Sequence, residues 1–496
     1  MILATTRAPQ GGDQRESPGA HTNTGRRRDR RTCSAKTGSS TSAARKGHRV
    51  VVDRCPDQAA SAYVKTRGPC IPSGRQQTQP DKRRKKMTPT AIALKDVTGA
   101  SNKGYEFKAV ALMALGLGIV GFDRFIINPL FPIIQKDLGL NYQDLGMISA
   151  VLALTWGIAS VFSGQIADRL GYKPVMVAAT LIFSVLVATT GLATGLLSLV
   201  AIRAVMGLAE GAFLPASIVT TVEASKPSRV GLNVGIQQMA MPLFGLGFGP
   251  ILAVALLKVV PSWHWVFAIA SIPGFIIAAL IAVGIRHDPP HSAADHTPER
   301  SIGFLHALGN RNVVFSVIGM CCFLTAGITM AAFTPNYLTD HLQLTLDQMG
   351  GVLAGQGTGS FVGMVVIPAI SDKFGRKPVM LAALVIAFAG LLALINAGPE
   401  PAALFKLLFL TAFMITGTIA INVGPLTSAS VPPAIAATAT GLVVGIGEMV
   451  GGAIAPAVAG RMADSLGIAV IFKIAAFAIG VSILVVGFGI REPERR

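Results

Sequence analysis

Charged side chains stand inside stretches of the chain that are otherwise apolar, beginning with GFDRFIINPLFP. There Asp123 and Arg124 are adjacent, and Arg203 and Glu210 are seven residues apart in RAVMGLAEGAFLP. Seven residues make about two turns of a helix, so the side chains of Arg203 and Glu210 share a face. Glu448, in GIGEMVGG, is a fifth charged side chain of this kind.

Side chains of these types can bind an anion and exchange protons. An arginine guanidinium keeps its charge and its forked donors match a carboxylate, so Arg124 and Arg203 are the predicted anion-binding residues. Removal from water favours the neutral form of a carboxyl group, so Asp123, Glu210 and Glu448 are predicted to take up and release protons. The alternative is that Asp123 with Arg124, and Arg203 with Glu210, are structural ion pairs that hold helices together.

The elements that carry these side chains are predicted membrane spans. The chain has 496 residues, of which 51% are hydrophobic and 14% charged, whereas a soluble protein has about 25% charged residues. Apolar runs of about 20–28 residues recur from residue 107 onward, long enough to cross a bilayer. Twelve helical spans are predicted, at 107–134, 142–166, 174–195, 198–222, 231–257, 263–285, 312–338, 347–370, 378–396, 401–428, 435–459 and 466–490.

An internal repeat divides these spans six and six. GQIADRLGYKPVM recurs as PAISDKFGRKPVM, which places Asp168 and Asp372 204 residues apart, and Pro250 and Pro456 are 206 residues apart. The predicted fold is an all-α integral membrane protein with twelve transmembrane helices in two pseudo-symmetric six-helix bundles. Internal repeats of this kind build secondary transporters, with the substrate site between the halves near the midplane.

A basic tail precedes the spans. Residues 1–86 contain twenty Lys and Arg against six Asp and Glu, and too few hydrophobic residues to build a core, which predicts disorder. Three interpretations stay open: a true start at Met87, a cytoplasmic arm that binds anionic lipid or nucleic acid, or a transit peptide. The predicted organisation is a tail at 1–104, a six-helix bundle at 105–286, a cytoplasmic loop at 287–311, a second six-helix bundle at 312–491 and a cytoplasmic end at 492–496.

The distribution of Lys and Arg predicts the orientation. Fifteen basic residues lie in the loops and ends on the N-terminal side of the membrane, and four lie on the other side, so both termini are predicted to be cytoplasmic in a multi-pass plasma (inner) membrane protein. The five cysteines imply no disulfide framework, and no metal-ligand spacing appears. No cofactor is expected. The expected partners are a small organic anion, protons and the lipid bilayer, with no nucleic acid for the membrane body and a monomeric state.

The loop between the second and third spans resembles the hallmark of the major facilitator superfamily, and the resemblance covers residues 105–491. The matching residues are Gly164, Asp168, Arg169, Gly171 and Lys173 in the first copy, and Asp372, Lys373, Gly375, Arg376 and Lys377 in the second. Tyr172 and Pro368 depart from the pattern. The resemblance implies that Asp168 meets the eleventh span and Asp372 the fifth, which closes the cytoplasmic side when the site faces outward.

Within that superfamily the chain resembles the anion:cation symporters. The matching residues are Asp123, Arg124 and Pro132 in the first span, Arg203, Gly207 and Glu210 in the fourth, and Pro335, Tyr337 and Leu338 at the end of the seventh. Glu448 departs from the pattern, because these symporters usually have asparagine there. The resemblance implies import of an organic anion, such as a sugar acid or another carboxylate, by proton symport through alternating access.

Four further polar residues within spans are predicted to help bind the substrate. They are Gln237, Tyr337, Gln356 and Asn422, and the alternative is that they join helices by hydrogen bonds. Two rival functions stay open, a proton-coupled multidrug or metabolite exporter of the same superfamily and a non-transporting membrane sensor. An enzyme is not expected, because the sequence contains no nucleophile–base constellation.

Overall fold

A computed structural model describes residues 103–286, 307–432 and 435–492, and these residues form twelve membrane spans, numbered 1–12. Spans 1–6 are Lys103–Phe125 with Ile127–Leu138, Tyr142–Leu170, Tyr172–Thr190, Leu196–Ala224, Val230–Pro242 with Leu243–Phe248 and Gly249–Leu257, and Trp263–Ala270 with Ile272–Gly284. Spans 7–12 are Arg311–Asn336 with Tyr337–His341, Leu346–Phe374, Arg376–Ile395, Pro401–Ile421 with Asn422–Leu426 and Thr427–Ala429, Ala436–Gly447 with Glu448–Ile454 and Ala455–Leu466, and Val470–Leu484 with Val485–Gly489.

The predicted all-α fold of twelve spans is confirmed. Eleven spans in the described part of the chain are long and apolar enough to cross a membrane, and the remaining one, Tyr142–Leu170, is a helix of 29 residues. The predictions made for residues 1–102, 287–306 and 493–496 lie outside the described residues.

The internal repeat has a structural counterpart in two turns of nearly the same backbone geometry, one after span 2 and one after span 8. Span 2 ends at Gly171 with φ 89° and ψ 149°, and span 8 ends at Gly375 with φ 94° and ψ 150°. A positive φ of this size is strained for any residue with a Cβ atom, so glycine is required at both places. The repeated sequence therefore folds into the same turn at the same point of each half.

Two π-helical segments occupy equivalent places in spans 5 and 11. Leu243–Phe248 comes just before Pro250, and Glu448–Ile454 comes just before Pro456. Proline has no N–H to donate to the carbonyl four residues earlier, so the helical hydrogen-bond ladder is interrupted and the preceding turn widens. The wide turn of span 11 begins at Glu448, so its carboxyl group lies where the helix is irregular.

The two halves meet through close backbone contacts. Span 2 packs on span 11, and span 8 packs on span 5. A Cβ atom added to Gly357 of span 8 would collide with the backbone of Gly247 in span 5, and one added to Gly146 would collide with the carbonyl of Pro456. Only glycine permits this approach, which brings span 8 against span 5 and span 2 against span 11.

Hydrogen bonds join the halves at the side where span 1 ends and span 2 begins, the predicted extracellular side. Asp464 accepts from the backbone N–H groups of Tyr142 at 3.0 Å and Gln143 at 2.8 Å, and the Tyr142 hydroxyl donates to Asp340 at 2.9 Å. These contacts are called the outer gate. Two more pairs cross the halves on this side, Asn336 with Gln135 and Lys258 with Asp347. The outer gate is closed in this structure.

Candidate functional site

Arg124 is buried at the point where span 1 is interrupted. The helix Lys103–Phe125 ends one residue after it, and a new helix begins at Ile127. Arg124 Nη2 is 2.9 Å from Glu448 Oε2 in span 11, and both side chains are buried. The guanidinium carbon also lies 5.4 Å from the ring centroid of Trp156 in span 2, a distance at which a cation is attracted by an indole face. Arg124 therefore connects both halves.

Arg203 is a buried arginine of span 4 that donates to main-chain carbonyls and to the sulfur of Met206. Its Nη1 donates to the carbonyl oxygens of Asp123 at 3.2 Å and Arg124 at 3.3 Å, at the interruption of span 1. Its Nε and Nη2 atoms are buried without a hydrogen-bond partner among the described residues. Arg203 therefore fixes the geometry of the interruption and keeps donors for a ligand.

Asp123 and Glu210 are buried beside these arginines. Both oxygens of each carboxyl group are without a hydrogen-bond partner in the described part of the chain. The two groups are within electrostatic range of one another, and Arg203 is within range of both. An ionised carboxylate without a partner is costly to bury, so this arrangement favours protonation or a ligand.

The alternative prediction, that Asp123 pairs with Arg124 and Arg203 with Glu210, is wrong about the partners of both arginines. Arg124 bonds to Glu448 rather than to Asp123, and Arg203 bonds to backbone carbonyls rather than to Glu210. Neighbouring residues of a helix point about 100° apart, so an adjacent acid and base do not pair unless the surrounding packing turns them together.

A small cavity brings the two arginines together between the halves. Its walls come from spans 1, 2, 4 and 7, and Arg124 and Arg203 are its charged residues. The lining residues are Arg124, Phe125, Ile127, Asn128, Ile148, Ser149, Leu152, Arg203, Ile328 and Ala332. This space is called the arginine cavity. Two guanidinium groups on one small cavity form a site for a carboxylate or another anion.

A second small cavity lies beside the first, and Phe125 and Asn128 line both. It is called the amide cavity because the side-chain amides of Asn128 and Gln356 are on its wall. Gln356, predicted to bind the substrate, is therefore placed in a cavity between the halves. The Asn128 amide donates to the carbonyl of Ala331 at 2.9 Å across the halves, where Pro335 supplies no helical N–H.

The other predicted substrate-binding residues line neither cavity. The Gln237 amide is hydrogen-bonded to two hydroxyl groups of span 4. The Tyr337 hydroxyl is 3.4 Å from the carbonyl oxygen of Leu394, and its ring packs on Phe472. The Asn422 amide donates to a carbonyl of span 7. Each of the three residues makes its polar contacts within its own half of the protein. A substrate-binding role for them stays a prediction.

Several residues of the site were not foreseen. Asn128 was detectable as a polar residue beside proline in an apolar run, whereas Phe125 and Trp156 carry no signal that separates them from core aromatics. No group of three or more His, Cys, Asp and Glu able to hold a metal ion occurs within the described residues.

The residues predicted to form the inner gate lie at the opposite side from the outer gate. Asp372 is exposed to solvent, and the backbone N–H groups of Arg376 and Lys377 donate to Glu492 at 2.7 Å each. Glu492 thereby caps the N-terminal end of span 9. The surroundings of Gly164 and the side chain of Asp168 lie outside the described part. The gating role of both copies stays a prediction.

Comparison with known proteins places this geometry in a family. The model described as "Major Facilitator Superfamily" matches residues 113–443 and 315–496. The chain is 27% identical over 309 residues to the hexuronate transporter of Bacillus subtilis (strain 168), covering 57% of this chain and 72% of that protein. It is 28% identical over 393 residues to the sialic acid transporter NanX of Escherichia coli (strain K12), and the match covers 77% of this chain and 94% of that protein. The solved structure of the nucleoside transporter NupG has a TM-score of 0.65, 14% identity, and coverage of 78% of this chain and 100% of that one.

Proposed function

Because the chain belongs to the Major Facilitator Superfamily, we propose that this membrane transporter imports an organic carboxylate together with protons by alternating access. The observation that supports the proposal is that Arg124 and Arg203 share one cavity between the halves, with Asp123, Glu210 and Glu448 buried around them. The family and these relatives are transporters, so the protein is not an enzyme.

The charges of the site explain why an anion would require protons. With every group ionised, three carboxylates outnumber two guanidinium groups, and a further anion would be repelled. Protonation of the carboxyl groups leaves the two arginines in excess, and protonation of Glu448 also frees Arg124 from its ion pair. Uptake of protons therefore precedes or accompanies anion binding, and the proton gradient supplies the driving force for import.

The halves supply the conformational part of the cycle. The site lies at the contact between them, and the outer gate is closed in this structure. In the proposed cycle, rocking of the halves opens the outer gate while the inner gate of Asp168 and Asp372 closes. Once protons and anion have balanced the charges of the site, that motion moves fewer unpaired charges through a low-dielectric region.

The relatives support a carboxylate as the anion. Hexuronate and sialic acid, the substrates in the names of two relatives, are both sugars with a carboxylate group. The proposal includes a plasma (inner) membrane location, cytoplasmic termini and a monomeric state. The predicted rival, an exporter of cationic compounds, is less well matched by a cavity whose charged residues are arginines.

The test is transport by the purified full chain in liposomes that enclose a fluorescent pH indicator. With the outside at about pH 5.5 and the inside at about pH 7.5, radiolabelled glucuronate or gentisate should accumulate and the lumen should acidify faster when the acid is present. Arg124→Ala should abolish accumulation, and Arg461→Ala, at an exposed position outside the cavities, should not. No accumulation of any acid, with movement of a cationic dye against protons, would overturn the proposal in favour of the exporter.

A further inference from the structure

Prolines from three spans meet at the amide cavity. A proline has no N–H to donate to the carbonyl group four residues earlier in a helix, so that carbonyl oxygen stays available to another partner. At the amide cavity, both the proline and the residue four positions earlier line the wall in spans 1, 5 and 7. The three pairs are Phe125 with Pro129, Leu246 with Pro250, and Ala331 with Pro335.

Two side-chain amides add further oxygen atoms to this wall. Gln356 of span 8 is 5% exposed, and no hydrogen bond of its side chain is found among the described residues. Asn128 of span 1 uses its amide N–H group on the carbonyl of Ala331, which leaves its amide oxygen as the acceptor that it offers. Three carbonyl groups and two amides therefore give the cavity five uncharged oxygen ligands.

The size and charge of the amide cavity restrict what can bind there. The cavity has room for about one water-sized ligand and not for an organic molecule. No charged side chain is among the described residues that line it, whereas protein sites for Ca²⁺ and Mg²⁺ use carboxylates. Carbonyl oxygens of interrupted membrane helices instead coordinate monovalent cations. The small volume favours the sodium ion over the larger potassium ion.

The charges around the cavity also favour a monovalent cation. Arg124, on the neighbouring arginine cavity, is the nearest obstacle to a cation, but Glu448 at 2.9 Å offsets its charge. With every group ionised, the three buried carboxylates and two arginines of the site sum to one negative charge. One monovalent cation cancels that charge, whereas a divalent cation would leave one positive charge buried in a low-dielectric region.

We propose that the amide cavity binds a sodium ion. Its ligands are the carbonyl oxygens of Phe125, Leu246 and Ala331 and the amide oxygens of Asn128 and Gln356. Spans 1 and 5 belong to the first half and spans 7 and 8 to the second, so a bound sodium ion joins the halves and stabilises the arrangement in which the outer gate is closed. This site does not depend on which substrate the protein carries.

The purified full chain, without substrate, is sufficient for the test. Its thermal unfolding is compared in sodium, potassium and choline chloride at equal concentration, and binding of radiolabelled sodium is measured directly. Sodium should raise the melting temperature above that in choline, potassium should do so much less, and sodium binding should saturate at one ion per chain. Equal melting temperatures in all three salts, with no saturable sodium binding, would overturn the proposal and leave a water molecule as the occupant. That result would leave the proposed function intact.

Two substitutions with matched controls locate the ion. Gln356→Leu removes one ligand and should weaken sodium binding about tenfold, whereas Gln238→Leu, in a span but on neither cavity, should not. Pro250→Ala supplies an N–H group for the carbonyl in span 5 and should weaken sodium binding at least about threefold. Pro456→Ala makes the same change at the equivalent place of span 11, away from both cavities, and should have no effect. Sodium binding that neither Gln356→Leu nor Pro250→Ala changes would place the ion elsewhere and overturn the proposal.

Discussion

Arg124 of span 1 and Glu448 of span 11 form a buried ion pair, 2.9 Å between Nη2 and Oε2, that joins the two halves beside the arginine cavity. The carboxylate of Glu448 uses a donor that a substrate carboxylate would otherwise use. The symporters that the sequence resembles usually have asparagine at this position, which cannot form an ion pair. Under the proposed function, Glu448 therefore makes anion binding compete with an internal anion.

The first prediction concerns Glu448→Gln. Glutamine is neutral and cannot form the ion pair with Arg124, so the variant should bind the anion about tenfold more tightly than the wild type at about pH 7.5. The Kd of the purified protein is measured by titration calorimetry.

The exposed pair of Lys258 and Asp347 supplies the control for this experiment. It also crosses the halves but is exposed, so Asp347→Asn should change stability by at most about 1 kcal/mol and leave the Kd for the anion unchanged. An unchanged Kd in the Glu448→Gln variant would show that Glu448 does not compete with the anion for Arg124.

The second prediction separates the roles of the two arginines. Arg203→Met removes the donation to two carbonyl oxygens of span 1, so the free energy of unfolding should fall by about 1–3 kcal/mol. Arg124→Lys can keep its bond to Glu448 and should cost less stability, while it weakens anion binding. Thermal unfolding and Kd are measured together. Equal losses of stability in both variants would show that Arg203 has no special structural role.

The sequence predicts the spans well because their signal is local. A run of apolar residues must be long enough to cross the bilayer, and the duplicated turn requires glycine at both Gly171 and Gly375. Charges inside apolar runs likewise mark the site, because burial without a purpose is costly. Asp123, Arg124, Arg203, Glu210 and Glu448 accordingly lie near one another in the structure.

Pairing within the site is not local, and the sequence could not predict it. Arg124 finds its partner 324 residues away because spans 1 and 11 approach there. A polar residue in a span gives the same signal whether it faces a cavity or bonds to a neighbouring helix. Gln356 and Gln237 look alike in the sequence, yet the first lines the amide cavity and the second bonds within one half.

The third prediction concerns the outer gate. Asp464→Ala removes the acceptor for two N–H groups at the start of span 2, a loss comparable to that of a helix cap, about 0.5–2 kcal/mol. The population with the outer side open should therefore increase by about two- to thirtyfold. Spin labels at the exposed outer positions Val259 and Leu466 should report a longer distance by pulsed electron resonance in a larger fraction of molecules.

An aspartate on the same side provides the comparison. Asp137 accepts from the Trp263 indole at 2.8 Å inside the first half, so Asp137→Ala breaks a similar contact that does not cross the halves. That variant should leave the label distances unchanged. An equal response to both substitutions would mean that the Asp464 contact does not hold the outer side closed.

The fourth prediction concerns the backbone contact of spans 5 and 8. A Cβ atom on Gly357 would collide with the backbone of Gly247, whereas one on Gly351 of the same helix would meet nothing within 4 Å. Gly357→Ala should therefore separate the halves, lowering the melting temperature and abolishing liposome uptake. Gly351→Ala should keep uptake and stabilise the protein by about 0.5–1 kcal/mol, because alanine is the better helix former. Normal transport by Gly357→Ala would show that the halves do not need this approach during the cycle.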